Sequence, residues 1–263
     1  MKIAAVGDNC IDLYENLNQG FPGGNPVNVA VYFSRLGGQA SYIGAVGDDK
    51  YGELMINSLK QKNVDTSSIK ILSGQTAITH VELINGDRVF GEYEEGVMGD
   101  FKLNDKDIEF LAQHDMMVSG IWGKIENDLE KIKKRKVPIA FDFATKLDSP
   151  VVEKAIHNVD YAFFAYDNDD DFIRDYMKKT YTKGPKLVTV TLGDKGSICY
   201  DGNEFIKYEI IPCEVVDTMG AGDSYIAGFL MGILKGKKIK ECMHIGAENA
   251  SITLQYYGAW KID

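Results

Sequence analysis

The sequence predicts an α/β fold, a three-layer α/β/α sandwich around a mostly parallel sheet, with a small β lid. Three observations carry that prediction. Short apolar runs alternate with amphipathic helical runs along most of the 263 residues, the pattern of a parallel sheet covered on both faces. One strong hairpin signal, Asn85-Gly86, interrupts the alternation. Near the C-terminal end, a glycine-rich turn leads from a short apolar run straight into a helix.

Residues 3–7 read as a buried strand, and Asn25-Pro26 as a helix start with Asn25 as N-cap and Pro at the first position. Val29, Phe33 and Leu36 form that helix's apolar face, and Gly37-Gly38 ends it. A strand over 41–46 and a helix over 49–62 follow. Strand-like runs at 76–84 and 88–93 flank Asn85-Gly86-Asp87. Alternation then resumes with strands at 116–119, 138–143, 161–164 and 186–191 and helices at 127–134, 150–157 and 170–179. A second hairpin joins 197–200 to 204–208, a strand is expected at Val215-Val216, and helices over 221–234 and 239–257 close the chain. Nothing in composition splits residues 1–263, so one domain is expected, its lid drawn from about 12–22 and 76–96.

Composition excludes several functions. With 29 basic and 39 acidic residues the formal charge is −10, which repels nucleic acid and anionic lipid over most of the surface. A nucleotide still binds where local N–H groups and a helix N-terminus outweigh the global field. Cys10, Cys199, Cys213 and Cys242 are scattered without metal-ligand spacing and read as reduced thiols of a cytoplasmic protein. The longest apolar run, 225–234, is too short to span a bilayer. No G-x-G-x-x-G follows the first strand, which argues against a dinucleotide-dependent dehydrogenase.

The densest chemical signal is Asp217-Thr218-Met219-Gly220-Ala221-Gly222-Asp223. Such a turn aims backbone N–H groups and the positive end of a helix dipole at one point. Asp223, in the first helical turn, is placed to take a proton from a hydroxyl attacking a bound phosphate. From the residues alone the turn reads equally well as a capped helix start.

This stretch resembles the C-terminal signature of the ribokinase-like carbohydrate kinases. The resemblance implies that Asp223 is the catalytic base, that Gly220, Ala221 and Gly222 form the anion hole, and that Asp217, with Thr218, organises the loop on the nucleotide side, often beside a monovalent cation. Phe21-Pro22-Gly23-Gly24-Asn25-Pro26-Val27-Asn28 and Arg35-Leu36-Gly37 are similar to the family's N-terminal signature. They imply Asp12, Gly24, Asn25 and Asn28 as sugar ligands, with Arg88 as a further substrate residue and Gly23-Gly24 as a hinge. On the residues alone, Asn25 serves equally as a cap. The turn from Thr191 to Gly196 resembles the nucleotide-side strand, which implies Thr191, Gly193 and Gly196 at ATP. The implied substrates are a small sugar and ATP with Mg²⁺, and a homodimer through the lid is implied.

Two departures stand out. The family's Asn-x-x-Glu motif for Mg²⁺ has no match at 165–171, where an acidic run reads mainly as a solvated cap, so the metal ligands stay unassigned. Lys146 falls where relatives carry an arginine and reads either as a phosphate contact or as a surface lysine. Stretches 7–14, 87–98, 140–143 with 148–150, and 255–260 resemble a branch of the family that phosphorylates the 6-hydroxyl of Amadori compounds. In that light Glu92, Glu94 or Glu95 would face the substrate's ammonium groups, the alternative being a charged strand edge. The rival readings are a kinase of fructose, ribose, a deoxy-sugar acid or a nucleoside, and a non-catalytic sensor on the same fold.

Overall fold

The computed structural model describes residues 1–14, 19–84 and 87–261, with the backbone alone at 83–84 and 87–90. In chain order the elements are β1 (Lys2–Val6), β2 (Cys10–Tyr14), β3 (Gln19–Gly23), α1 (Asn25–Arg35), β4 (Gln39–Ile43), β5 (Ala45–Gly47), α2 (Lys50–Gln61), β6 (Val64–Asp65), β7 (Lys70–Leu72), β8 (Ile78–Ile84) and β9 (Asp87–Glu94). They continue with α3 (Asp105–Leu111), β10 (Met116–Gly120), α4 (Leu129–Lys134), β11 (Ile139–Asp142), α5 (Pro150–Ala155), β12 (Tyr161–Ala165), α6 (Asp171–Tyr181), β13 (Leu187–Thr191), β14 (Ser197–Tyr200), β15 (Phe205–Tyr208), α7 (Ala221–Leu234) and α8 (Ile239–Thr253).

Nine strands form the main sheet in the order β15-β14-β13-β12-β11-β10-β1-β4-β6. From β13 to β6 every pairing is parallel, and only β14 runs antiparallel to its neighbours. Period-two alternation divides the core into two layers. Ile3 and Ala5 of β1 face one layer with α1, α7 and α8, while Ala4 and Val6 face the other with α3 to α6. A second sheet, β3-β2-β8-β9, is made by the two early strands and the hairpin. The hairpin's Asn85-Gly86 tip lies outside the described residues.

Four elements differ from the sequence reading. Asn25 is not the N-cap of α1: Gly24 is, at φ +110, and Asn25 is the first helical residue. A Cβ at position 24 would lie 2.7 Å from Asn9 Cα, so the close approach as well as the dihedral demands glycine. Val215 and Val216 form no strand. The N–H groups of Val216 and Asp217 bond the Leu254 carbonyl at the end of α8, and both valines stay exposed. The helix expected to reach Tyr257 ends at Thr253, and the strand expected over 41–46 breaks at Gly44 into β4 and β5. The reading had not anticipated α3, whose seven residues are too few to show a period; an Asn104/Asp107 capping box starts it.

The buried helix α7 is apolar nearly all round and packs most closely on α8. Gly228 and Gly232, one turn apart, let the backbones meet. A Cβ at 228 would stand 2.5 Å from Ile245 O and 2.8 Å from Gly246 Cα, and one at 232 would stand 2.8 Å from Cys242 Cα. Because backbone cannot yield as a side-chain tip can, Gly228→Ala is expected to destabilise the protein by about 1–3 kcal/mol. Urea unfolding measures this, and a variant as stable as the parent would contradict the packing.

Candidate active site

Strand order reverses between β1 and β10: the chain steps outward from β1 to β4 and β6 on one side and from β10 to β13 on the other. Ligand crevices in open α/β sheets lie at such switch points, beyond the carboxyl ends of the strands. Here those ends supply Asp8 and Asn9 after β1, Asp142 from β11, Ala165 from β12 and Thr191 from β13 to a cavity of about 870 Å³. The small sheet adds Asp12, Thr79, Gly91 and Tyr93, α1 adds Asn25 and Asn28, and α7 adds Gly222 and Asp223.

Capping of α1 by the Gly24 backbone leaves the Asn25 side chain available. Asn25 Nδ2 donates to Asp142 Oδ2 at 2.8 Å and to Asp223 Oδ1 at 2.7 Å. Asn28, three residues on and so on the same helix face, donates from Nδ2 to Asp223 Oδ2 at 2.7 Å. The orientation of Asn28 is fixed from behind, because Trp260 Nε1 donates to its Oδ1 at 2.9 Å. Both oxygens of Asp223 therefore accept, which favours the carboxylate. Burial opposes this and dominates, pushing Asp223 from 3.8 up to about 8, with a further upward push from the charge of Asp142. Burial likewise raises Asp8 and Asp142 to about 6 each.

The turn before Asp223 is held by its own first residue. Asp217 accepts from Met219 N at 3.1 Å and from Gly258 N at 2.7 Å, tying the turn to the chain that leads to Trp260. Gly220 caps α7 at φ +72, and a Cβ there would lie 2.3 Å from the Tyr32 hydroxyl, itself bonded to the Ala259 carbonyl. Arg35 braces the same corner through Ser224 Oγ, Asn249 and Thr253. Gly222 borders open space, and as a first-turn residue its N–H has no partner within the helix. The N–H of Ala221, by contrast, bonds Thr218 O at 3.2 Å within the turn.

A second cavity, of about 510 Å³, lies on the other side of Gly222. Gly193, Gly196, Thr218 and Ala221 line it, together with an apolar wall that includes Ile210, Val215 and Leu254, and it shares Thr191 and Gly222 with the first cavity. Apolar walls with a few polar groups suit a flat heterocycle. The candidate residues thus divide into two groups meeting at the start of α7. Asp217 and Gly220 line neither cavity and shape the turn instead, and the side chain of Arg88 lies outside the described residues.

Other candidates fall elsewhere. Gly91 and Tyr93 of β9 face the larger cavity, so Glu92 and Glu94 point to the opposite face, where Glu94 pairs with His80 at 2.7 Å. Glu95 is engaged by Lys124. Strand parity turns Glu92 and Glu94 away from the cavity, and Glu95, though on the parity of Tyr93, pairs with Lys124 and is not among the lining residues, which corrects the expectation that one of these glutamates lines the cavity. In the acidic run, Asp170 caps α6 by accepting from Ile173 N at 2.9 Å. Asp169 binds Arg174 and Lys207, which hold its carboxyl down at about 2. Among the described residues no three His, Cys, Asp or Glu side chains converge to hold a metal ion. Lys146 is exposed at the edge of the larger cavity. Asp8, Asn9 and Trp260 were not singled out in the sequence, although they lie in the stretches 7–14 and 255–260; Asp8 stands one glycine past the apolar run of β1.

A polar cavity and an apolar-walled one that meet at a helix N-terminus, with a carboxyl between them whose pKa burial raises, suit phosphoryl transfer to a sugar, the chemistry of carbohydrate kinases with a ribokinase-like α/β fold. Residues 4–261 match the pfkB family carbohydrate kinases, and the chain belongs to that family. A fructoselysine 6-kinase of Shigella flexneri is 45% identical over 258 residues, 98% of this chain and 99% of its own. Arabidopsis thaliana ribokinase, solved with ribose and ATP, superimposes with a TM-score of 0.87 at 23% identity, covering 98% of this chain and 93% of that one. An uncharacterized sugar kinase of Pyrococcus horikoshii in complex with ATP gives 0.79 at 27% identity, with 98% and 94% covered.

Asp223 makes stability depend on pH in a defined direction. Its folded value lies above its unfolded one, so between about pH 4 and pH 8 the folded chain keeps a proton that the unfolded chain has lost. Its contribution to stability therefore falls as pH rises through that window. Measured against Asp223→Asn, which carries no titrating group there, the wild type is expected to lose about 3–4 kcal/mol between pH 5 and pH 8. Paired urea titrations test this, and pH-independent differences between the two proteins would contradict it.

Proposed function

We propose that this protein is an ATP-dependent kinase that transfers the γ-phosphate to the 6-hydroxyl of fructoselysine, giving fructoselysine 6-phosphate and ADP. The observation that carries the substrate is the 45% identity to a fructoselysine 6-kinase along essentially the whole of both chains. In this reading the larger cavity takes the sugar and the second takes the adenosine, with the phosphates reaching the Gly222 N–H at the junction. Asp12, Asn25 and Asn28 bind the sugar, and Asp223 removes the proton of the 6-hydroxyl as its oxygen attacks the γ-phosphorus. The new O–P bond forms while the bond to the β,γ-bridging oxygen breaks, and ADP leaves. The N–H groups and dipole at the start of α7 stabilise the charge that gathers on the transferring group.

Mg²⁺ would enter bound to the phosphates of the nucleotide, where it would offset their charge. The small sheet standing over the larger cavity serves as the lid that excludes water from the reaction. A lid-to-lid homodimer and a cytoplasmic location belong to the same proposal; no described helix is long and apolar enough to cross a membrane.

Incubation with ATP, Mg²⁺ and a panel of glycated amino acids and ketoses, with products identified by mass spectrometry and phosphorus NMR, tests the proposal. The expected outcome is fructoselysine 6-phosphate formed mole for mole with ADP. Asp223→Asn should lower kcat by about 10²–10⁴-fold while changing fructoselysine affinity only a few-fold. Preferential phosphorylation of plain fructose would overturn the substrate, and ligand binding without ATP consumption would point to a sensor.

A further inference from the structure

The larger cavity is lined by four acidic side chains and one basic one, an imbalance that a neutral sugar does nothing to offset. Asp8, Asp12, Asp142 and Asp223 all line it, and the one basic side chain among its lining residues is Lys146, exposed at the edge. Two of the four carboxylates have both oxygens engaged: Asp223 accepts from Asn25 and Asn28, and Asp142 accepts from Asn25 and from Ala144 N. Asp8 differs. Its Oδ2 accepts one long bond from Asn25 N at 3.3 Å, and its buried Oδ1 has no hydrogen-bond partner among the described residues. The Oδ1 atoms of Asn9 and Asn25 are likewise buried and unpartnered, but Asn25 Oδ1 packs on Gly120 and the Asn9 amide is directed at Tyr42 and Ala45, so the orphaned acceptor of interest is Asp8 Oδ1. An orphaned carboxylate oxygen lacks a donor, and its charge favours a positively charged one.

We propose that Asp8 determines substrate choice by receiving the cationic secondary amine that an Amadori compound carries on C1, where fructose has a neutral hydroxyl. The inference rests on the fructoselysine reading above. An N-substituted ammonium offers two N–H donors, no acceptor and a full charge, which matches an unpartnered carboxylate oxygen better than a hydroxyl does. The spacing is also suitable. Asn25 touches Asp8 through its backbone N–H and Asp223 through its side chain. In the furanose form of a 2-ketose, C1 and C6 stand on the two carbons beside the ring oxygen, so an amine at Asp8 leaves the 6-hydroxyl within one sugar's width, at Asp223. Burial raises Asp8 only to about 6, so its charge is largely present at neutral pH.

The test is the ratio of kcat/KM for fructoselysine to that for fructose, in wild type and in Asp8→Asn. The asparagine keeps an acceptor for Asn25 N–H and removes the charge. The ratio is expected to fall about 10- to 100-fold, carried by KM for fructoselysine. Equal losses on both sugars would mean that Asp8 only props α1 and would overturn the inference, as would an unchanged ratio. Asp8→Ser serves if the asparagine variant does not fold. A second comparison uses wild type alone, with 1-amino-1-deoxyfructose against its neutral N-acetyl derivative; equal turnover would contradict recognition of a cation. Wild type without preference for any amine-bearing ketose would sink the substrate proposal as well. A selective wild type whose Asp8→Asn variant is equally selective would sink this inference alone.

Discussion

The active-site geometry depends on one bracket of hydrogen bonds: two asparagine amides, Asn25 and Asn28, closing on the two oxygens of Asp223. It can form only if the first turn of α1 and the first turn of α7 face each other, although 198 residues separate Asn25 from Asp223. The surroundings serve that requirement. Trp260 fixes the amide of Asn28, Arg35 bonds α1 to α7 and α8, and Asp217 ties the glycine-rich turn to the chain leading to Trp260. The close α7–α8 contact at Gly228 and Gly232 supports the helix that carries Asp223.

The bracket and the burial act against each other, and in the proposed mechanism that opposition is what suits the carboxyl to act as a base. Two amide donors favour the ion, while burial and the neighbouring Asp142 and Asp8 favour the acid, and the balance lies near pH 8. A carboxylate at its usual acidity is a weak base towards a sugar hydroxyl, whereas one that binds its proton near working pH accepts it readily in the transition state. Asp169 shows the opposite arrangement in the same molecule. Paired with Arg174 and Lys207, it is held down at about 2 and serves the packing of α6. Residue type does not decide the role; the balance of desolvation, charge and donors does.

Much of this was legible in the sequence wherever it depends on local periodicity. Alternating apolar runs predicted the strands of the main sheet, and the stretch from Asp217 to Asp223 stood out as a glycine-rich helix start that the residues alone left open between an anion-binding turn and a simple cap. What the residues alone left undecided, such as Asn25 as cap or ligand, turned on one dihedral: Gly24 caps with its backbone, so the asparagine side chain is released to the cavity. Strand parity was legible for Glu92 and Glu94, but which face met the cavity was not, because that depends on how the small sheet sits against β1 and β11. Val215 and Val216 looked like a strand by composition, yet the Val216 N–H bonds the Leu254 carbonyl at the end of α8 and Val215 borders the second cavity. Trp260 and Asp8 act through contacts with residues distant in sequence, which no local pattern encodes.

The most direct measurement of the central claim is the pH dependence of kcat/KM for phosphorylation of the sugar by the wild type, with nucleotide saturating, from pH 6 to pH 9.5. If the bracketed carboxyl of Asp223 is the base, activity rises with pH along a single limb with an apparent pKa near 8 and then levels off. A profile already flat from pH 6 upward would mean that Asp223 holds an ordinary carboxylate's acidity, and the account of a base tuned by burial between Asn25 and Asn28 would be wrong.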